Sequence, residues 1–429
     1  MKNKKILFIH HGQVLGGAPR SLKNTIIGLE KEEFDNLKIL SAYPDMKAFF
    51  EEGTRVRTGD IYSPHMLIGR LLIGLAHWNN LRTLAGAIIE GLKIPIILMR
   101  QIKVLKTENP DIIHLNSSIL CLVAISSKLL GIHIVWHIRE VLIGGRWNIR
   151  KLFIGWLIRK LADEVICISE VEAVALGKNS YNNVHVVYNF IDFNEFFVDA
   201  AILLKAKKQY GSDTKKTVVS LGGISFRKGT VEIMQTAEKM TDVRFLIAGA
   251  SLKKKHYSAA MRKWIVLSHS LEILLMSIGF KKIYSWYYSE RVEFLYAKLN
   301  LSNLSFVGKI ESVASLIAIS DCLVFAGCTP HFPRPVYEAW AMKKPVIAFN
   351  MNGVRENITH LEDGIITEEN TSKGLEKGIK LLLNNDLKSI EMGHSGYKKS
   401  LERFNMEVNV KKIITVYKAI ICLNKQQKR

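Results

Sequence analysis

The sequence predicts an α/β protein of two doubly wound, Rossmann-like domains. Its 429 residues are enough for two domains that each bury a core. Twelve short apolar runs alternate with helix-length segments along the chain, the pattern of parallel strands joined by crossover helices. Several runs end in polar or glycine-bearing loops, where doubly wound sheets bind ligands.

In the first half the runs are KILFIH (5–10), LKILSAY (37–43), DIIHLN (111–116), HIVWHI (133–138), EVICIS (164–169) and HVVYN (185–189). In the second half they are TVVSLG (217–222), VRFLIAG (243–249), LSFVG (304–308), DCLVFAG (321–327), PVIAF (345–349) and GIIT (364–367). Their length and flanking Gly, Asn and Asp residues read as strands. The boundary between the domains is expected at residue 192, giving 1–192 and 193–404. The last stretch has helical spacing, and helix 405–429 is a candidate to cross back onto the first domain.

Sixty Lys and Arg against 39 Asp and Glu leave a net charge of +21, which attracts polyanions. Without zinc-finger spacing, an RNA-recognition signature or a long basic run, nucleic acid is not an expected partner. A phosphorylated small molecule or an anionic membrane surface fits the charge. Cys121, Cys167, Cys322, Cys328 and Cys422 are scattered and odd in number, so no metal site is expected. MKNKKILFIHHG reads as a first buried strand rather than a leader. The most apolar stretch, MLIGRLLIGLAHW, is interrupted by Arg70, so no spanning helix is expected.

Four places carry chemistry. After the first run, HHGQVLGGAPRSL offers Gly16 and Gly17 before a helix expected near Pro19; glycines at a helix start cradle an anion or a sugar hydroxyl, or simply make a turn. VWHIRE brings His137, Arg139 and Glu140 to the end of the fourth run. His137 there can donate a hydrogen bond, accept a proton, or fill an interface. In SLGGISFRKG, Gly222 ends a strand, and Arg227 and Lys228 precede a helix expected near Gly229. Two cations beside a helix start can hold a diphosphate. TPHFPRPVYEAWAMKKP (329–345) joins two strands through a polar loop and a helix, VYEAWAMKK, bearing Glu338 in its first turns. A carboxylate there can accept from ribose hydroxyls while helix amides face the diphosphate. NGVRENI (352–358) repeats the glycine and helix-start arrangement with Arg355 and Glu356.

These four features, in this order, resemble the GT-B glycosyltransferases of the large retaining family 4. The resemblance implies two Rossmann-like domains facing across a cleft, an acceptor domain first and a nucleotide-sugar donor domain second. It implies a GG loop at the donor phosphate or acceptor (Gly16, Gly17) and a histidine near the transferred sugar (His137). It also implies a G-R-x-x-x-x-K-G motif on the diphosphate, matched by Gly222, Lys228 and Gly229. An E-x7-E motif would end on a ribose-binding glutamate, matched by Glu338 with Phe332, Arg334, Pro335 and Val336 around it.

Two positions depart from the pattern: Pro330 stands for the first glutamate, which contacts the donor sugar, and Gly223 for the motif arginine. Arg227 or Arg334 is a candidate replacement for that cation. The implied activity is a retaining hexosyl transfer from a UDP- or GDP-sugar to a glycan or lipid-linked acceptor, without metal or obligatory cofactor. His137, Arg227 and Lys228 would be the catalytic residues. The expected location is cytoplasmic, peripheral on the inner face of the membrane. The alternative is an inactive binding or scaffold protein of the same fold.

Two basic, apolar segments, residues 65–106 and the stretch between 251 and 300 with Trp264, Trp286, Tyr287 and Tyr288, suit a membrane face or a helical pair packed on the domain or against a second subunit.

Overall fold

The computed structural model describes residues 3–12, 16–61, 88–89, 91–140, 142, 148–211, 215–252, 281–310, 312–327 and 333–427. They form two compact units, Met1–Asp192 with Arg403–Arg429, and Phe193–Glu402.

The first unit is a seven-stranded parallel sheet. Its strands are β1 (Ile6–His10), β2 (Leu37–Ser41), β3 (Arg57–Asp60), β4 (Ile112–Leu115), β5 (His133–Ile138), β6 (Glu164–Cys167) and β7 (Val184–Val186). Their order is β3-β2-β1-β4-β5-β6-β7. Alternate residues of β1 feed two cores: Leu7 and Ile9 pack on one face, Ile6 and Phe8 on the other. Both faces being covered, the strand reads as one apolar run.

The helices α1 (Gly17–Lys31) and α2 (Pro44–Glu51) are followed by α3 (Ile94–Glu108), α4 (Cys121–Leu129), α5 (Ile149–Leu161) and α6 (Glu170–Ala175). The first helix starts at Gly17, two residues before the expected Pro19. All six apolar runs of this half become strands. β3 is an addition to them: RTGD is a polar, half-exposed edge strand with no apolar signal.

The second unit opens with α7 (Ala200–Tyr210), β8 (Thr217–Leu221), α8 (Thr230–Lys239), β9 (Arg244–Ala248), α9 (Lys281–Leu299) and β10 (Leu304–Gly308). It continues through α10 (Val313–Ala318), β11 (Cys322–Phe325), α11 (Arg334–Ala341), β12 (Val346–Ala348), α12 (Asn352–Arg355) and β13 (Gly364–Ile366), and ends in α13 (Ser372–Leu383) and α14 (Asp386–Arg403). Its six strands are parallel in the order β10-β9-β8-β11-β12-β13.

The final helix, α15 (Met406–Gln427), belongs to the first unit. Val410, Ile413, Tyr417 and Ile420 complete the core under β1. A Cβ on Gly28 would lie 2.3 Å from Val410 Cγ2, so glycine is what lets α1 approach α15 this closely.

Of the segment expected to meet a membrane between 251 and 300, residues 253–280 lie outside the described residues, and so do the side chains of Trp286 and Tyr287. Tyr288 does not face outward: it is buried, its hydroxyl accepts the Val231 amide at 3.1 Å, and its ring meets Phe226 edge-on. An aromatic in a basic, apolar stretch is here a core residue, because α9 packs on α8. Residues 65–87 also lie outside the described residues.

Candidate functional site

In each sheet the chain order reverses beside its first strand, between β1 and β4 and between β8 and β11. Loops leaving such adjacent strands diverge and open a binding crevice at their carboxyl ends. Gly16 and Gly17 follow β1, Lys228 follows β8 and Glu338 follows β11, while His137, Arg139 and Glu140 lie at the end of β5, next to β4.

In the second unit β8 ends at Leu221, followed by Gly222 and Gly223, both with positive φ. Gly223 donates its amide to Ala248 O at 2.7 Å, and a Cβ there would sit 2.9 Å from Gly249 O. An arginine at this position would meet backbone at an unfavourable φ, so the departure from the expected motif is built into the loop. The Thr230 hydroxyl accepts from Ser225 N and donates to Gly223 O, closing the loop onto the start of α8. Gly229, at φ 61°, presses against β11: a Cβ would fall 2.2 Å from Ala326 O.

This packing lays Lys228 across Gly222 and sets its ammonium 5.2 Å from the Phe325 ring centroid. Burial and the Arg227 charge lower the Lys228 pKa, while Glu338 acts to raise it. Lys228 and Glu338, 110 positions apart in the numbering, are therefore electrostatic neighbours. Arg227 is exposed.

α11 begins at Arg334, two residues earlier than the sequence indicated, with Pro335 in its first turn where no amide is needed. Glu338 is buried and its Oε1 accepts from Arg334 Nε at 2.6 Å, an i,i+4 ion pair. Arg334 Nη1 is buried without a hydrogen-bond partner. As a substitute cation Arg334 is thus already engaged on one side and open on the other. The Val336 side chain is buried and its amide donates to Pro333 O. Phe332 and Pro330 lie outside the described residues. Arg355, the last residue of the four-residue α12, donates from Nε to Asn350 Oδ1 in the loop before that helix.

In the first unit Gly16 is the N-cap of α1 and is exposed, as is Gly17, beside which a Cβ would meet nothing. No acidic residue occupies the first turn, so the amides of this 15-residue helix face outward as the positive end of its dipole.

Nearby strand ends carry a buried polar group that the sequence revealed only in part. His114 Nδ1 lies 2.7 Å from Tyr417 Oη, and His114 Nε2 lies 3.1 Å from His137 Nδ1. Arg139 Nη2 donates to the same His137 nitrogen at 3.3 Å, Nε to Asn116 Oδ1 and Nη1 to Asn189 Oδ1. His137 Nε2 is buried without a partner. Burial, with the Arg139 charge next, lowers the pKa of His114 to about 3. Burial, then His11 and Arg139, lowers that of His10 to about 3. His137 is held well below the ordinary histidine value by burial, Arg139 and His114.

Glu140, by contrast, works structurally. Its Oε1 accepts from both Ser117 and Ser118 hydroxyls and from Ser118 N, pinning the loop after β4. His10, His114, Asn116 and Tyr417 were not singled out in the sequence. The one signal was position, since His10 and Asn116 end apolar strand runs and His114 lies inside one.

Among the described residues, no group of His, Cys, Asp and Glu side chains could hold a metal ion, and no helix is long and apolar enough to cross a membrane.

Two parallel α/β units of this topology in one chain are the architecture of the GT-B fold. The family description "Glycosyl transferases group 1" matches residues 204–399 and "Glycosyltransferase Family 4" matches residues 15–195. The chain belongs to this glycosyltransferase family.

Among solved structures, Anabaena HepE in complex with UDP and glucose superposes with a TM-score of 0.74 at 17% identity, covering 97% of this chain and 100% of that one. Among curated proteins, the N-acetyl-alpha-D-glucosaminyl L-malate synthase of Bacillus anthracis is 25% identical over 55% of this chain and 53% of its own length. The capsular polysaccharide biosynthesis glycosyltransferase CapM of Staphylococcus aureus is 22% identical over 49% and 57%. The chain spans little more than half the length of these curated relatives.

Proposed function

We propose that the protein moves a sugar from a UDP- or GDP-sugar to a glycan or lipid-linked acceptor with retention, in the synthesis of a cell-surface polysaccharide or glycolipid. The observation that carries this reading is the convergence of Lys228 and Glu338 beside β8 and β11. A cation and a carboxylate at such a point suit a diphosphate and a ribose. Lys228, with Arg227 and Arg334 Nη1, would stabilise the charge that grows on the diphosphate as the anomeric C–O bond breaks. The acceptor hydroxyl adds to the anomeric carbon on the face the nucleotide leaves, and its proton passes to the departing phosphate. Gly16 and Gly17 would offer helix amides to an anionic group, and His137 would meet the sugar. The Anabaena structure contains UDP and glucose, and the Staphylococcus relative is named for capsule synthesis; both are in keeping with this assignment.

A peripheral position on the inner face of an anionic membrane is part of the proposal. Leu92, Ile96 and Met99 on or beside α3, and Leu152 and Trp156 on α5, are exposed. Neither residues 91–107 nor 148–161 contain an Asp or Glu, while each contains four Lys or Arg. An apolar, cationic surface of this kind favours anionic lipid. Failure to sediment with anionic vesicles at low salt would sink this part.

The central test is thermal stabilisation by a panel of nucleotides, followed by transfer assays with the matching sugars. A nucleotide in excess of its dissociation constant by about 100-fold stabilises by roughly 2.7 kcal/mol. The reading fails if no nucleotide moves the transition. The second reading, a binding protein without turnover, is favoured by Gly223 standing where a cation belongs; stabilisation with neither transfer nor donor hydrolysis would establish it. Retention is checked by the anomeric configuration of the product.

A further inference from the structure

We infer that the buried chain Tyr417–His114–His137, together with Arg139, fixes the His137 proton on Nε2, so that this histidine donates a hydrogen bond to an oxygen of the bound substrate and accepts no proton. That the oxygen belongs to a sugar donor or acceptor rests on the proposed transferase reading; the position of the proton does not.

One member of the group has no choice of role. A guanidinium has only donors, so the contact from Arg139 Nη2 requires a lone pair on His137 Nδ1. With that nitrogen an acceptor, the 3.1 Å contact from His114 Nε2 must carry its proton on His114. Neutral His114 then keeps its lone pair on Nδ1, which accepts from the Tyr417 hydroxyl at 2.7 Å. Burial raises the Tyr417 pKa, keeping that hydroxyl protonated. Each of the three contacts is satisfied in one direction only.

The remaining proton of neutral His137 therefore sits on Nε2, which is buried and lacks a partner. An unmet N–H in such a place is costly and is suited to an incoming oxygen. The groups acting on this ring are His114 from β4 and Arg139 beyond the end of β5, with Tyr417 of α15 behind His114. Arg139 also acts on His10 from β1. The only charge among them is positive, so protonation of His137 is opposed from within its own surroundings.

Arg139 thus sets the tautomer of His137, and His114 with Tyr417, 280 positions after His137 in the numbering, are positioning residues that hold the ring in place.

The direct test is proton–nitrogen correlation spectroscopy on the full chain with labelled histidine, the His137 signals being assigned by their loss in His137→Ala. The expected result is a lone-pair nitrogen at Nδ1 and a proton-bearing nitrogen at Nε2, unchanged between about pH 6 and pH 9. A proton on Nδ1, or titration in that window, overturns the inference. In Tyr417→Phe the His114 Nδ1 signal should shift as its hydrogen bond is lost, the proton staying on Nε2. kcat for sugar transfer should fall about fivefold at unchanged KM for the nucleotide sugar, the worth of one hydrogen bond. Unchanged His114 and His137 spectra in that variant overturn the relay.

His137→Gln keeps an N–H donor and has no basicity. It should retain activity within about tenfold, whereas loss of a general base costs about 10² to 10⁴; a loss that large in a folded Gln variant overturns the donor role. Absence of any nucleotide-sugar binding would remove the transferase reading and leave the ring assignment, read on the free protein, standing or falling by itself.

Discussion

Mild acid should weaken the first unit far more than the second. The perturbation is a change from pH 7.5 to pH 5. His10 and His114 are buried with folded pKa values of about 3, against about 6.5 when unfolded. A depressed folded pKa means that below 6.5 the unfolded chain binds protons that the folded chain refuses. The contribution is therefore complete above pH 6.5 and is lost progressively as pH falls towards 3. At pH 5 the difference is about 1.5 pH units per histidine, or roughly 2 kcal/mol each and about 4 kcal/mol for the pair. His137 and His11 are shifted in the same direction and add to it.

That is a large share of the roughly 5–15 kcal/mol that usually holds a domain folded. The assay is amide hydrogen exchange by mass spectrometry, corrected for the intrinsic rate at each pH. β4 and β5 peptides should lose protection equivalent to about 4 kcal/mol, while β8 and β11 peptides change little. Glu108 and Asp111 also have lowered pKa values, but they lose their contribution below the ordinary carboxylate range. Equal loss in both units, or unchanged protection in β4 and β5, would refute the neutral-histidine argument and with it the proton assignment built on it.

Three further outcomes concern the second unit. Glu338→Ala should abolish nucleotide stabilisation and also cost about 3–5 kcal/mol by stranding the Arg334 charge. Adding Arg334→Met should recover most of that stability in a denaturant titration without restoring nucleotide binding. Lys228→Met should lower kcat/KM for sugar transfer by about 10² to 10³, measured with the donor fixed by the nucleotide screen. Gly229→Ala places a Cβ 2.2 Å from Ala326 O at a φ of 61° and should destabilise by about 1–3 kcal/mol, with a raised KM for the nucleotide sugar because the Lys228 loop must move.

Much of the fold was legible because parallel strands buried on both faces are written as short apolar runs, and all twelve such runs became strands. β3 escaped because an exposed edge strand needs no apolar residues; its Arg57, Thr58, Gly59 and Asp60 read as a loop. Tyr288 misled for the opposite reason. An aromatic among lysines looks the same in sequence whether it meets solvent, lipid or a neighbouring helix, and packing on α8 decided it.

The segment from Thr329 to Pro345 pointed to the donor side through Glu338 and its helix. It gave no hint that Arg334 would be bound to that carboxylate, although their i,i+4 spacing permits the pair. Likewise, Gly223 looked like a missing cation, and its backbone shows why a side chain is unwelcome there.

Sequence by itself determined the family, the alternation of elements, the positions of Gly222 and His137 at strand ends, and those of Lys228 before a helix and Glu338 within one, since each depends on local pattern. Tertiary structure alone decided that α15 returns to the first unit and brings Tyr417 to His114, that His10 and His114 are buried beside an arginine, and that Lys228 and Glu338 act on one another. Those relations join residues 23 to 303 positions apart. Proton position, burial and pairing depend on distance through space, and local spacing along a chain carries no record of it.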